Sequence, residues 1–103
     1  LELRQLAVRG SDESPVLTLG DALFAELAAP VEPRGPFLEH RARVVAPDGS
    51  DAFVSAWQAV AAGDGLRVVV PASALQRGAH ALVVEGRGPS GTEPLESYAF
   101  RVR

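Results

Sequence analysis

Two histidines carry the chemistry that this chain could most readily offer, because imidazole binds zinc and titrates near neutral pH. His40 and His80 each lie in an alternating apolar segment, on the side that we expect to face a core. If these segments are neighbouring antiparallel strands with Phe37 near Gly86, His40 lies opposite Val83, about 13 Å from His80. A zinc site needs at least three protein ligands, and the sequence indicates no third one. We therefore expect two core histidines and predict no metal site.

The motifs that resemble ligand-binding loops lack the context that their chemistry needs. The sequence Asp48-Gly49-Ser50-Asp51 is too short for a calcium-binding EF-hand loop and predicts a hairpin turn instead. The spacing Gly-x-Gly-x-x-Gly occurs at Gly86, Gly88 and Gly91. Pro89 interrupts it, and neither a following helix nor a βαβ unit is indicated, so we do not expect phosphate binding.

The sequence does not indicate residues arranged for nucleophilic or acid–base catalysis either. None of the serines lies in a Gly-x-Ser-x-Gly sequence, which a serine hydrolase of the α/β type needs. Glu93 and Glu96 are close in sequence, but they lie in or beside a polar segment that implies no cleft. Because no nucleophile, base and orienting group can be assembled, we predict that the domain is not an enzyme and binds no cofactor.

Aromatic side chains are the remaining candidates for ligand contact, because exposed rings stack on sugars and form hot spots in protein interfaces. Tyr98 and Phe100 alternate with arginines and are expected in the core. Trp57 has polar neighbours at Ser55 and Gln58, which suit a partly exposed ring. Trp57 is therefore the candidate contact residue.

Composition limits the chain to one small domain and disfavours several classes of partner. The 103 residues are 47% hydrophobic, enough for one core but not for two domains. The net charge is -3 and the cations are dispersed, whereas nucleic acids and anionic membranes favour a concentrated basic face. The absence of cysteine excludes disulfides and thiolate metal sites. We expect a single domain over residues 1–103, cut from a longer protein and not itself spanning a membrane.

Segments of alternating apolar and polar residues predict strands along most of the chain. The predicted strands are 3–8, 16–19, 22–28, 37–46, 53–60, 66–70, 80–85 and 98–103, although 22–28 also suits a short helix and 53–60 is ambiguous. Turns or loops are predicted at 10–15, 30–36, 47–50 and 61–65, with a long polar loop over 86–94. This pattern is typical of an all-β sandwich, immunoglobulin-like or fibronectin-III-like, with seven to eight antiparallel strands.

Two segments near the C-terminus resemble a bacterial family. They are Pro71-Ala72-x-x-Leu75-x-x-Gly78-x-His80 and Tyr98-x-Phe100-x-Val102. They are similar to the C-terminal extracytoplasmic immunoglobulin-like domain of membrane-anchored zinc-finger anti-sigma-factor-like proteins of acidobacteria and myxobacteria. The family has Tyr where this chain has His80, and an imidazole could imitate the bond that a corner tyrosine makes to upstream backbone. The resemblance implies a structural corner formed by Pro71, Leu75, Gly78 and His80.

The same resemblance implies a biological setting. It predicts a non-catalytic extracytoplasmic domain, periplasmic or on the cell surface, that senses signals or binds protein partners for a bacterial transmembrane regulator. The alternatives are a spacer or a recognition module, protein- or carbohydrate-binding, in a larger protein, with a cytoplasmic location as the alternative. All ten cations are arginine, and Lys, Asn, Ile and Met are absent, which we interpret as the codon bias of a GC-rich bacterial genome.

An exposed aromatic platform would favour sugar binding, whereas a bare polar outer sheet would favour spacing or weak protein contacts. An open sheet edge would favour strand addition by a partner.

Overall fold

A computed structural model describes residues 3–7, 15–31, 39–60, 65–89 and 91–103. These residues contain no α-helix and therefore no helix that could cross a membrane. The predicted turns at 10–15, 30–36 and 61–65 lie mostly outside them. The described residues form eight strands and one 3₁₀ turn: β1 (Leu3–Ala7), β2 (Val16–Leu17), β3 (Phe24–Ala29), β4 (Glu39–Val45), β5 (Asp51–Val54), β6 (Leu66–Pro71), the turn Ala72–Ala74, β7 (Gly78–Gly88) and β8 (Gly91–Val102).

Two sheets divide these strands between them. A three-stranded sheet has the order β1-β3-β6, and a five-stranded sheet has the order β2-β8-β7-β4-β5. Buried side chains from both sheets form one hydrophobic core. The predicted all-β class is confirmed at this level, while the immunoglobulin-like or fibronectin-III-like assignment stays a prediction.

The core follows from the alternation of side chains along the strands. In β3, β4 and β6 every second side chain is buried, as expected for strands with one covered face. Leu23, which precedes β3, is 60% exposed, so the predicted strand over 22–28 begins two residues later than expected. The strand residues that form this hydrophobic core are Leu17, Ala25, Leu27, Ala29, Ala42, Val44, Leu66, Val68, Val70, Leu82, Val84, Phe100 and Val102.

Two strand pairs are parallel, which differs from the antiparallel sandwich that we predicted. β1 pairs with β3 and β2 pairs with β8 in parallel registers. The N–H groups of Arg101 and Arg103 donate to the carbonyls of Pro15 and Leu17, each at 2.9 Å. Alternation of side chains specifies which face of a strand is buried but carries no information about its direction. The sequence pattern therefore could not reveal these pairs.

The predicted long loop over 86–94 is wrong, because most of it is strand. β7 continues to Gly88 and β8 begins at Gly91, with Arg87 opposite Thr92. The register shifts at Val84 and Glu85, so that β8 has one extra residue at this point. Backbone pairing holds the tip of this hairpin together although its residues are mostly polar or glycine, which is why polarity alone misled the prediction.

The predicted hairpin turn at 47–50 joins β4 to β5. Asp48 Oδ1 accepts hydrogen bonds from the backbone N–H of Ser50 at 3.0 Å and from its hydroxyl at 2.6 Å. Gly49 has φ +87°, a conformation that favours glycine. The turn is closed by Ala46, whose N–H donates to the carbonyl of Ser50.

Gly78→Ala should destabilise the domain more than Gly49→Ala. Gly78 has φ +124°, and a Cβ there would lie 3.2 Å from Cγ of Pro47. At Gly49 the left-handed backbone is the only obstacle, because the added Cβ meets open space. We expect each variant to lose about 1–3 kcal/mol of unfolding free energy, with the larger loss at Gly78. Urea denaturation of both variants measures the difference, and an equal or smaller loss at Gly78 would contradict the steric argument.

The Asp48 carboxylate in this turn should make the domain less stable at acid pH. The hydrogen bonds from the Ser50 hydroxyl and backbone hold the pKa of Asp48 below its ordinary value. Stability from this carboxylate is therefore present above its unfolded pKa and is lost as pH falls through the lowered folded pKa. In Ser50→Ala, an NMR titration should show the pKa of Asp48 moving upward. An unchanged Asp48 pKa in that variant would show that the hydroxyl does not cause the shift.

Candidate functional site

The two histidines lie further apart than the sequence suggested. Both are buried, at 3% and 4% exposed, but His40 is opposite Gly86 and not Val83. Gly86 is six positions from His80 along β7, which corresponds to about 20 Å. Phe37, on which the predicted register relied, lies outside the described residues. In the part of the chain that the structure describes, no three His, Asp or Glu side chains gather to hold a metal ion.

His80 is held in the core by one polar and one aromatic contact. Its Nδ1 lies 3.1 Å from the carbonyl oxygen of Gly78, and its ring stacks on Phe100 with centroids 5.3 Å apart. Gly78 lies two residues upstream of His80, so the ring is anchored to nearby backbone, while the role of His80 as a substitute for a corner tyrosine stays a prediction. The Nε2 atom of His80 and both ring nitrogens of His40 are buried and have no hydrogen-bond partner among the described residues.

The other predicted corner residues lie on the connection between the two sheets. Pro71 ends β6 and precedes the 3₁₀ turn, whose backbone closes through a bond from the N–H of Leu75 to the carbonyl of Ala72. Leu75 is buried at 7% exposed and joins the core. Gly78 begins β7. These residues carry the chain from one sheet to the other.

Trp57 lies in a bulge beyond the end of β5. β5 ends at Val54, which is opposite Arg43, and Gln58 forms an isolated bridge with His40. The three residues 55–57 therefore face only two residues of β4. In a regular strand Phe53, Ser55 and Trp57 would share one face, but here Phe53 packs against the core whereas Trp57 stacks on Arg41.

The Ser55 hydroxyl stabilises the bulge. The N–H of Ala42 donates to Ser55 Oγ at 2.9 Å, and the N–H of Ser55 donates to the carbonyl of Ala42 at 2.9 Å. The side chain thus accepts the backbone bond that a regular strand would accept with a carbonyl. Gln58 remains paired with His40, which fixes Trp57 beside Arg41.

Two arginines stack on the Trp57 ring. The guanidinium carbons of Arg41 and Arg87 lie 4.5 and 4.7 Å from the ring centroid. Arg41 Nε donates to Glu85 Oε1 at 2.8 Å, and Arg87 donates to Glu39 Oε1 through Nη2 at 2.6 Å and Nε at 3.1 Å. We call these five residues the Trp57 surface. Each guanidinium is held by a carboxylate on one side and an aromatic face on the other.

Glu85 is the buried charge within the Trp57 surface. It is 8% exposed and lies opposite Arg41 in the β4–β7 ladder. A second cation, Arg43, places its Nε 3.9 Å from Glu85 Oε1, while its Nη1 donates to Asp51 at 3.1 Å. Burial of a carboxylate costs free energy unless cations compensate it, so the arginines must stay close.

The Trp57 surface offers groups that are suited to binding, namely an aromatic ring and guanidinium groups that carboxylates hold in place. The two carboxylates of this surface, Glu85 and Glu39, each form an ion pair with an arginine. None of its five residues is a nucleophile. Tryptophan and arginine are enriched in the hot spots of protein interfaces. The stacked side chains are already ordered, so a partner would not have to immobilise them.

Sequence reasoning selected Trp57 but not the residues around it. Glu39, Arg41 and Arg43 alternate with buried residues along β4, a pattern from which the outer face of the strand can be predicted. Arg87 and Glu85 were missed, because Arg87 fell in the predicted loop. The signal that could have found them is that Glu-x-Arg occurs in the same order in β4 and in β7, which places unlike charges opposite each other when the strands are antiparallel.

Comparison with known proteins adds information on the fold alone. No protein-family model matches the chain, and no curated protein matches it. The chain is similar in structure to the N-terminal domain of phage TP901-1 ORF48, with a TM-score of 0.52 and 15% identity over 98% of each chain. At this identity the likeness supports the β-rich architecture and says nothing about function.

Removing one guanidinium should expose the Trp57 ring. Trp57 is the single tryptophan of the chain, so its fluorescence reports this surface without interference. We expect Arg87→Gln to increase quenching of Trp57 by acrylamide and to lower stability by about 0.5–1 kcal/mol. Arg67→Gln is the matched control, because Arg67 pairs with Glu26 on the other sheet. Equal quenching in the two variants would show that Arg87 does not cover the ring.

Proposed function

We propose that this domain is a non-catalytic protein-binding module that contacts its partner through the Trp57 surface. The observation that carries the proposal is the stack of Arg41 and Arg87 on a half-buried tryptophan, on the outer face of the five-stranded sheet. Large side chains that are already fixed bind with a small entropic cost. A protein partner with apolar groups for the ring edge and carboxylates for Arg87 fits this chemistry, because the side chain of Arg87 is 45% exposed.

The same observation makes carbohydrate binding the weaker candidate. A sugar-binding platform needs an exposed planar ring whose face is free for stacking. The Trp57 ring instead has guanidinium groups over it at 4.5 and 4.7 Å, so a sugar would have to displace an arginine from its carboxylate. The cost of breaking those charge-assisted hydrogen bonds opposes sugar binding.

The biological setting of the proposal comes from the sequence resemblance. Similarity to extracytoplasmic domains of anti-sigma-factor-like proteins supports a module on the outer side of a bacterial membrane, where it would bind a protein of the cell envelope. In this proposal the domain transmits or stabilises a regulatory contact and performs no reaction.

Photo-crosslinking in the source bacterium tests the proposal on the intact parent protein. A photoreactive residue replaces Ala56, which is exposed and adjacent to Trp57. The matched control replaces Val69, which is 47% exposed on the other sheet. We expect a discrete protein adduct from position 56, absent from position 69 and reduced at least about tenfold by Arg87→Gln, as for loss of about 1.4 kcal/mol at a hot spot.

Three results would contradict the proposal. Adducts of equal yield from positions 56 and 69 would indicate nonspecific contact. No adduct at position 56 would favour a spacer. An adduct that persists in both Arg87→Gln and Trp57→Ala, with both variants folded by circular dichroism, would exclude the stack as the contact site.

A further inference from the structure

The edge of β8 that points away from β7 is only partly paired with another strand. β2 pairs with β8 at Arg101 and Val102 alone. Between Gly91 and Phe100, no other described strand lies beside β8 on the side away from β7. A strand edge of this kind presents backbone groups that can pair with another chain.

The direction of these backbone groups follows from the bonds next to them. The N–H groups of Arg101 and Arg103 point away from β7, since they donate to Pro15 and Leu17. Backbone groups alternate in direction along a strand, so the N–H and C=O groups of Ala99 and Ser97 point to the same side. No described residue bonds to them there.

The open part of the edge has clear limits. At one end β2 occupies the space beside Arg101. At the other end Pro94 has no N–H to donate, and the register shift near it bends the strand. Between these limits, Ser97 and Ala99 are exposed and small, so they leave room for an approaching strand.

We propose that this edge pairs with the same edge of a second copy, in antiparallel orientation about a two-fold axis at Tyr98. Ser97 of each copy would then lie opposite Ala99 of the other. Each of these two pairs exchanges two hydrogen bonds, which gives four bonds between backbones. The two five-stranded sheets become one continuous sheet.

Charge along β8 favours a second copy over an unrelated strand. The strand is acidic near its start, at Glu93, and basic at its end, at Arg101 and Arg103. An antiparallel copy brings the acidic end of one strand near the basic end of the other. Beyond Phe100 the space belongs to β2, so the incoming strand leaves the sheet near its own Leu95, where the bulge bends it.

The resulting contact is short, so the dimer should be weak. It involves about five residues from each strand, which is far smaller than a standard interface. The pairing does not use Trp57, which lies near the opposite edge of the sheet, beyond β4. An experiment that disproves the dimer would therefore leave the proposed function untested, and the reverse also holds.

Sedimentation equilibrium from micromolar to millimolar concentration tests the dimer. We expect the average mass of the unmodified chain to rise from that of a monomer toward twice that value. Ala99→Pro removes the outward N–H without removing a bond to β7, and it should stay monomeric throughout. The matched control Ala99→Ser keeps the N–H and should dimerise like the unmodified chain, as should Trp57→Ala.

Hydrogen exchange on the unmodified chain gives a second readout that needs no variant to fold. The amides of Ser97 and Ala99 should exchange quickly in dilute solution and at least about tenfold more slowly when the dimer is the main species. Three results would overturn the proposal. They are a monomer at every concentration, an undiminished dimer in folded Ala99→Pro, and full protection of both amides in the dilute monomer, which would mean that the chain covers its own edge.

Discussion

The burial of the Glu85 carboxylate is the constraint on which the outer face of the larger sheet depends. β7 is the middle strand of the five-stranded sheet, and Glu85 on its outer face is only 8% exposed. A charge in this position requires a cation within reach. Arg41 donates to it at 2.8 Å, and this bond fixes the guanidinium where Trp57 can stack on it. The Trp57 surface thus follows from the need to neutralise one acid.

On the inner face of the sheet, the described polar side chains are few, and only some of them have hydrogen-bond partners. His80 bonds to the carbonyl of Gly78 and stacks on Phe100, and thereby fills a position of the core with an aromatic ring. His40 has no such bond among the described residues. Unpaired polar atoms in a core reduce stability. His40 lies opposite Gly86, whose lack of a side chain leaves space next to this position of the ladder.

The sequence allowed the faces of the strands to be predicted well and their partners poorly. Alternation identified the buried side of β4 and β6 because one face of each strand meets the core. Alternation could not show that β1 and β2 pair in parallel with their neighbours, since the same alternation occurs in parallel and antiparallel strands. The tip of the β7–β8 hairpin was predicted as a loop, because its residues are polar and backbone pairing leaves no hydrophobic pattern in the sequence. Trp57 could be chosen from its polar neighbours, but its contact with Arg87 depends on the register, and the predicted register was three residues away from the one observed.

The β7–β8 hairpin also sets an order of events during folding. Its strands are separated by only two residues, whereas β2 must return from the N-terminal part of the chain to reach β8. Closing a short loop costs less entropy, so we expect the hairpin to form while β2 is still unattached. During that interval the edge of β8 lacks the cover that β2 later provides at Arg101 and Val102. Pro94 and the adjacent bulge oppose strand pairing near the start of β8, and they can therefore act as gatekeepers against aggregation before the native fold is complete.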